Sequence, residues 1–332
     1  MTLHGKRVLV TGGAGFIGSH LVRRLLAEGA EVSVQVKYNS VVDNVRLAPI
    51  WQDIQVIEAD LRNPDSLKQV QELAPEIVYH LAAYNHVGDS FLHITEAVDS
   101  NEKGSVNLLE AYEGYDRFVY VSTSEVYGFQ TELPFQEGSM PAPLSPYAIG
   151  KYGGELYARL KWRSFGRPVV IIRPFNAYGP YQSARAVIAE TIITCLQQRE
   201  VITTSATQTR DFNFVGNLVD AFLLAGMASG VEGETLNVGS GQEISILDLV
   251  HKIRDLSGSD SSVRVGGLAD RDGEIMRMCA DNAHVRDMLG WTPAVDLDTG
   301  LRQTIDWYRE YLALFESPES PLWRLAADTT TQ

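Results

Sequence analysis

The pattern of apolar and polar positions changes character partway along the chain. Up to Arg173, short apolar runs alternate with longer stretches of helical periodicity. The runs Arg7–Val10, Glu31–Val36, Ile54–Glu58, Ile77–Leu81, Arg117–Ser122 and Pro168–Arg173 predict strands. Ile17–Glu28, Ser66–Leu73, Ile94–Tyr112 and Tyr147–Phe165 predict helices between them. Strand–helix alternation at this spacing implies βαβ units, and so a parallel sheet covered on both faces with right-handed crossovers. After Arg173, Gly, Pro and polar residues break the chain into shorter elements. Helices are predicted near Ala184–Gln197, Leu218–Ala228, Ile246–Ser257, Ala283–Leu289 and Leu297–Leu314. This second region predicts a smaller α+β unit, and residues 316–332 predict a flexible tail.

Composition narrows the class. A chain of 332 residues suits about two domains and a large core. With 45% hydrophobic and 21% charged residues it is not disordered, collagenous or of low complexity. The net charge of -14 repels phosphate backbones, which argues against nucleic-acid binding. An anionic ligand must therefore be met by local basic residues and backbone N–H groups. Cys195 and Cys279 form neither a metal-ligand spacing nor a disulfide framework, and fit buried thiols in a reducing compartment. No apolar run approaches the roughly 18 residues of a membrane span. The N-terminus enters a strand without a secretory signal, so a soluble cytoplasmic protein without a metal is expected. Trp291 and Trp307 are expected in the core.

The first chemical signal is Thr11-Gly-Gly-Ala-Gly-Phe-Ile-Gly18, between the first strand and the first helix. One glycine permits a tight turn, another lets backbone approach a pyrophosphate, and the last lets helix and strand pack closely. The helix start presents unpaired N–H groups to the phosphates. Gly12, Gly15, Phe16, Ile17 and Gly18 are thus candidate dinucleotide contacts. The second strand ends in Gln35-Val36-Lys37, without the acid that usually accepts from a ribose 2′-hydroxyl. Lys37 instead suits a 2′-phosphate, so NAD and NADP both stay open. Asp60 is placed to accept from an adenine amino group.

The second signal is Tyr147-Ala-Ile-Gly-Lys151, which puts phenol and ammonium on one helix face. A phenol near pKa 10 is a poor base. A nearby ammonium and an oxidised nicotinamide ring both favour its phenolate. Lys151 is also able to hold a ribose hydroxyl. Ser122-Thr-Ser-Glu-Val-Tyr-Gly128 leaves the carboxyl end of a predicted parallel strand, where open α/β sheets bind ligands.

Together with His80-Leu-Ala-Ala83, Arg173-Pro-Phe-Asn-Ala-Tyr-Gly-Pro180, Arg210-Asp-Phe-Asn-Phe-Val215, Asn237-Val-Gly239 and Leu289-Gly-Trp-Thr-Pro293, these motifs make the chain resemble the extended short-chain dehydrogenases/reductases that act on nucleotide sugars. The resemblance spans nearly the whole sequence. It implies an α/β fold: a Rossmann-type doubly wound parallel sheet with a smaller C-terminal α+β substrate domain. The expected division is 1–175 for NAD(P), with a returning segment near 210–240, and 176–209 with 241–315 for the sugar nucleotide. Leu61, Leu81, Ala82 and Ala83 are expected to join the cofactor contacts. Substrate contacts are expected from His86, Ser90, Asn176, Arg185, Arg210 and Arg271, with Asp89 facing the sugar and Asn101 orienting backbone or water near the cofactor.

Within the family, the Ser122–Gly128 stretch is similar to nucleotide-sugar 4,6-dehydratases and to UDP-glucuronate decarboxylases. Val36–Ser40 and Gln182–Ile188 look most like dehydratases of the UDP-N-acetylglucosamine type. C4-epimerases typically lack a glutamate at the position of Glu125. The resemblance implies Tyr147, Lys151, Thr123, Ser124 and Glu125 as the catalytic group, with Glu125 as the base at C5. It also implies a tightly held cofactor regenerated each turnover and a homodimer formed by helices around 96–112 and 147–165. Ser124 stands where dTDP-glucose dehydratases have an aspartate that protonates the leaving hydroxyl; here that proton comes from Glu125 or water. Decarboxylase and epimerase readings remain open, as does a sensor that binds NAD(P) without catalysis.

Overall fold

The computed structural model describes residues 2–37, 45–270 and 273–316. Seven parallel strands form the main sheet: β1 Arg7–Thr11, β2 Glu31–Val36, β3 Gln55–Glu58, β4 Ile77–His80, β5 Arg117–Val121, β6 Val169–Pro174 and, late in the chain, β11 Thr235–Val238. Their order is β11-β6-β5-β4-β1-β2-β3. The sheet is therefore doubly wound, and the order reverses between β1 and β4. Crevices at such switch points, beyond the carboxyl ends of the strands, are where these sheets take ligands.

Alternate residues of the strands fill two separate cores. Val8 and Val10 pack with Val119, Val121, Val170 and Ile172 beneath helices Phe16–Ala27 and Val215–Met227. Leu9, Phe118, Tyr120, Val169 and Ile171 face the other way, toward helices Gly104–Ala111 and Pro146–Phe165. Each fully buried Val, Leu or Ile is worth roughly 1.5–3 kcal/mol, so the central strands alone outweigh any surface ion pair. Three strand pairs of the C-terminal region remain small two-stranded sheets: β7 Asn176–Tyr178 with β10 Phe212–Phe214, β9 Thr209–Arg210 with β12 Ile244–Ser245, and β8 Val201–Ile202 with β13 Val263–Arg264, whereas β11 joins β6 in the main sheet. A third core of Ile188, Ile192, Leu249, Ile253, Leu301 and Tyr308 holds this region together.

The six predicted strands form, and β11 adds a seventh that the hydrophobic pattern did not separate from its surroundings. The predicted helix Ile94–Tyr112 is instead three pieces: α-helix Ile94–Val98, a π-helical stretch Asp99–Lys103, and α-helix Gly104–Ala111. The predicted Leu297–Leu314 helix breaks at Tyr311 into Leu297–Glu310 and Leu312–Glu316. Glu316 thus ends a helix, and the expected tail from 317 onward lies outside the described residues. Trp291 is buried and donates to the Asn217 carbonyl at 3.0 Å. Trp307 is half-buried in an aromatic cluster with Tyr181, Tyr308 and Tyr311. Both cysteines are buried free thiols. Among the described residues, no helix is long and apolar enough to cross a membrane, and no cluster of metal-ligating side chains occurs.

Candidate active site

The glycine turn sits at the switch point. Gly12 has φ +69, and a Cβ there would lie 2.7 Å from the Ala82 nitrogen, so β1 and the end of β4 approach as only glycine allows. A Cβ on Gly18 would lie 2.2 Å from the Gly12 carbonyl oxygen, which makes Gly18 the packing glycine between helix and turn. Gly15 caps the helix that starts at Phe16. Gly12, Gly15, Lys37, Asp60, Leu61, Leu81, Ala82 and Ala83 line one cavity. A backbone cradle ending on a helix N-terminus, continued by a slot between strand ends, fits an elongated diphosphate-linked ligand.

Two expected cofactor residues have other partners than expected. Arg62 grips both oxygens of Asp60, at 2.9 Å from Nε and 2.6 Å from Nη2, and holds that carboxyl below the usual range. An adenine amino group reaching Asp60 must share it with Arg62. Lys37 is exposed and pairs with Glu96 at 3.4 Å. Gln35, Arg62, Tyr84, Asn85, Glu96 and Ser100 also line the cavity and were not anticipated. Arg62 had a signal, two residues beyond Asp60; Glu96 and Ser100 come from a distant helix and had none.

A buried hydrogen-bond chain joins this cradle to the next element. His80 Nδ1 lies 2.7 Å from Thr11 Oγ1, and its Nε2 lies 2.8 Å from Ser105 Oγ. Ser105 gives its own proton to the Asn101 carbonyl at 2.6 Å. Ser105 therefore accepts from His80 Nε2–H, and Nδ1 accepts from Thr11. Burial keeps this imidazole neutral, well below its ordinary pKa. Asn101 lies in the π-helical stretch, as residues at functional sites often do. Its Oδ1 accepts from the Tyr84 nitrogen at 2.7 Å, and its Nδ2 donates to the carbonyls of Tyr84 at 3.1 Å and Tyr147 at 3.4 Å. It thus orients backbone on both sides.

Helix Pro146–Phe165 carries Tyr147 and Lys151. Ser145 caps it, accepting from the Ala148 nitrogen at 3.1 Å. Its glycines let it press onto the π-helical stretch: a Cβ on Gly150 would lie 2.9 Å from the Asn101 Cβ. Lys151 is 1% exposed, with Nζ over the Tyr120 ring at 4.7 Å. Burial brings its ammonium down to about 7, against an upward pull from Glu155. Tyr147 is half-buried; desolvation pushes its phenol up to about 12, with a hydrogen bond to Thr123 pulling down and the charge of Glu125 pushing up. The expected effect of the Lys151 ammonium is not among the causes acting on the phenol here. Without a further cation the phenol keeps its proton.

Facing Tyr147 is a turn of 3-10 helix, Ser124–Tyr127, that follows β5. Thr123 caps it, accepting from the Glu125 nitrogen at 3.2 Å. Glu125 is half-buried. Tyr127 anchors the turn from below, donating to Asn237 Oδ1 at 2.6 Å. Asn237 in turn binds the Phe135 carbonyl and the Glu137 carboxylate, linking β11 to this turn. Ser124 is buried and donates to the Met278 thioether at 3.3 Å.

The expected substrate residues are set mainly by pairing. Arg185 and Asp89 form a bidentate pair at 2.9 and 3.0 Å. His86 accepts from the Asp89 nitrogen at 3.0 Å, capping helix Val87–Ser90. Ser90 is buried, with its hydroxyl donated to the Val87 carbonyl at 2.6 Å. Asn176 Nδ2 points to Met278 Sδ at 4.0 Å. Arg210 donates to the Ile275 carbonyl at 2.7 Å and to Glu274. Arg271 lies outside the described residues. Asp211, quoted only within a motif, gathers the Ser240, Gly241 and Ala280 nitrogens and so fixes the loops around Arg210.

Fold and site together define a dinucleotide-dependent extended short-chain dehydrogenase/reductase. Residues 9–304 match the family described as GDP-mannose 4,6 dehydratase. A mouse dTDP-D-glucose 4,6-dehydratase is 33% identical over 96% of this chain and 92% of its own length. The crystal structure of a dTDP-glucose 4,6-dehydratase from Streptomyces venezuelae, with NAD bound, superposes with a TM-score of 0.85 at 34% identity, covering 92% of this chain and 97% of that one. A UDP-glucuronic acid 4-epimerase from Bacillus cereus, in complex with UDP-glucuronic acid and NAD, gives 0.85 at 30% identity, covering 92% and 99%. The chain belongs to the GDP-mannose 4,6-dehydratase family and is an enzyme of the nucleotide-sugar dehydratase and epimerase group.

Proposed function

We propose that this enzyme is a nucleotide-sugar 4,6-dehydratase working with a resident NAD or NADP, held by the Gly12–Gly18 cradle and the Asp60–Leu61 and Leu81–Ala83 strand ends. The observation that carries the reading is the pairing of Glu125 with Tyr147: a carboxylate close enough to act on the phenol's charge, on a turn capped by Thr123.

When bound, the nicotinamide supplies a hydride acceptor for the sugar C4 and a donor for C6. Its positive ring is also the further cation that the Tyr147 phenol lacks. Tyr147 takes the C4 hydroxyl proton, and the Thr123 hydroxyl holds the same oxygen. The ketone acidifies the C5 hydrogen, which Glu125 removes as general base. Glu125 then returns that proton to the C6 hydroxyl, which leaves as water. Ser124 takes no part in that transfer, because its proton is directed at Met278. Lys151 holds a ribose hydroxyl and supplies positive charge. Solvent returns a proton to C5, matching the one Tyr147 took from the C4 hydroxyl, so the sugar has lost one water overall and the product is a 4-keto-6-deoxy sugar nucleotide.

Decarboxylation would need a cation for the sugar carboxylate. Among the described residues, the candidate cations Arg185 and Arg277 are matched to Asp89 and Glu243, which supports a neutral hexose. A C4-epimerase would have no use for Glu125. The exposed Ile149, Leu156 and Leu160 on helix Pro146–Phe165 support a homodimer through that face. The test is mass spectrometry of the purified enzyme with UDP-N-acetylglucosamine, GDP-mannose and UDP-glucuronate. A product lighter by one water supports dehydration. Loss of carbon dioxide, or unchanged mass with inverted C4, overturns it. No product from a cofactor-loaded enzyme would return the sensor reading.

A further inference from the structure

One buried charge cluster beside the site has no part in the chemistry above. Glu155 lies one helical turn beyond Lys151, so Tyr147, Lys151 and Glu155 occupy successive turns of one face. Its side chain is 0% exposed. A buried carboxylate is costly unless every lone pair is met. Here Oε2 accepts from Ser122 Oγ at 2.7 Å and Arg173 Nε at 3.1 Å, while Oε1 accepts from Arg173 Nη2 at 2.6 Å and Arg159 Nη2 at 2.9 Å. Arg173, itself 1% exposed, also donates to the Glu137 carbonyl at 3.3 Å and stacks on Tyr127 at 4.8 Å. The cluster therefore touches both halves of the catalytic group. Ser122 precedes Thr123, Tyr127 closes the Glu125 turn, and the carboxylate follows Lys151.

We propose that Glu155, clamped by Arg173, Arg159 and Ser122, is a positioning residue that sets a negative charge one helical turn from the buried Lys151 ammonium while tying its helix to the Thr123–Glu125 turn. A purely structural pair would serve as well with two apolar side chains. What apolar side chains lack is negative charge beside an ammonium removed from water. The other groups facing Lys151 supply little of it. Tyr120 from β5 offers its ring and gives its proton to the Lys151 carbonyl at 2.8 Å, and His80 from β4 is neutral. Glu155 is the group that raises the ammonium against the lowering by burial. Its own carboxyl stays ionised: burial pushes it up, but the Arg173 hydrogen bonds and charge outweigh this, with help from Ser122 and Arg159.

Two substitutions of opposite sign test this. Glu155→Gln keeps the shape and removes the charge. Arg159→Gln removes a half-exposed cation and leaves Glu155 less neutralised. The alkaline limb of kcat against pH, where Lys151 loses its proton, moves down by about one pH unit in Glu155→Gln and up by a few tenths in Arg159→Gln. KM for the sugar nucleotide stays within about threefold, because neither side chain is placed against the substrate. Glu155→Asp, which keeps the charge, restores the limb. In parallel, NMR titration of the 15N-labelled Lys151 Nζ in the cofactor-loaded protein follows the ammonium itself, which loses its proton at lower pH in Glu155→Gln and at higher pH in Arg159→Gln. Superposable profiles, or shifts of the same sign in both variants, overturn the proposal. Should Glu155→Gln not fold, Arg159→Gln decides alone: an upward shift supports the clamp and none removes it. The inference rests on the dehydratase reading only for the substrate. If no sugar nucleotide is turned over, that reading fails while the ammonium titration still judges the clamp.

Discussion

The two walls of the site are built from different materials. The cofactor wall is mostly backbone: glycines at 12, 15 and 18, a helix start, and small residues at Ala82 and Ala83. The wall proposed for the substrate draws on long side chains held by acids far away in sequence, Arg185 by Asp89 and Arg210 by Glu274. Backbone fixed by sterics does not rearrange when a ligand arrives. Arginines held by carboxylates exchange one partner for another at modest cost. The first wall suits a resident group, and the second suits a substrate that enters and leaves.

The largest expected effect lies where the walls meet. Glu125→Gln slows water loss by about 10²–10⁴-fold while oxidation at C4 continues. A 4-keto intermediate should then accumulate in quenched reactions analysed by mass spectrometry. Undiminished dehydration would assign the base elsewhere. On the cofactor wall, Gly18→Ala forces a Cβ to 2.2 Å from the Gly12 oxygen, so the turn must shift. Dinucleotide affinity, measured by calorimetry, is expected to fall at least about tenfold, equivalent to some 1.4 kcal/mol. Unchanged affinity would show the cradle to be more pliant than argued.

A smaller effect concerns Lys151. Burial brings its folded-state pKa down to about 7 from an ordinary 10.5, so between these pH values the unfolded chain binds more protons and stability rises with pH. Lys151→Met removes a charge buried at a cost. It should raise the melting temperature at pH 7, with the advantage shrinking toward pH 10, in thermal melts at both values. A lower melting temperature at pH 7 would mean that the ammonium stabilises the empty fold. The smallest effect is on the substrate wall. Asp89→Asn breaks a partly exposed pair worth about 0.2–1 kcal/mol, so the melting temperature should hardly move. KM for the sugar nucleotide should change instead, and a large loss of stability would show Arg185 to be structural.

The same division explains what could be read in the chain. Six of the main strands and the glycine turn follow from local pattern, because turn geometry and two-faced burial act on neighbouring residues. Strand β11 has four residues and gains its place from pairing with β6, some sixty positions earlier, which no local pattern encodes. The π-helical stretch at Asp99–Lys103 was hidden for a similar reason. Gly150 and Gly154 pack against it, and what they admit is visible only once the two segments meet. Tyr147 and Lys151 were legible from helical spacing. The partners of Glu155 were not: Ser122 and Arg173 come from two different strand ends.

The glycine-mediated seam between helix Pro146–Phe165 and the π-helical stretch has an evolutionary corollary. A Cβ on Gly154 would lie 2.4 Å from the Tyr120 hydroxyl and 2.9 Å from the Asn101 carbonyl, so this helix has no slack to slide or rotate. On the proposed reading, any change of sugar preference has to leave the tyrosine where it is. Novelty is then confined to the opposite side, where substitutions in the C-terminal loops can reshape the sugar pocket without disturbing the chemistry next to it.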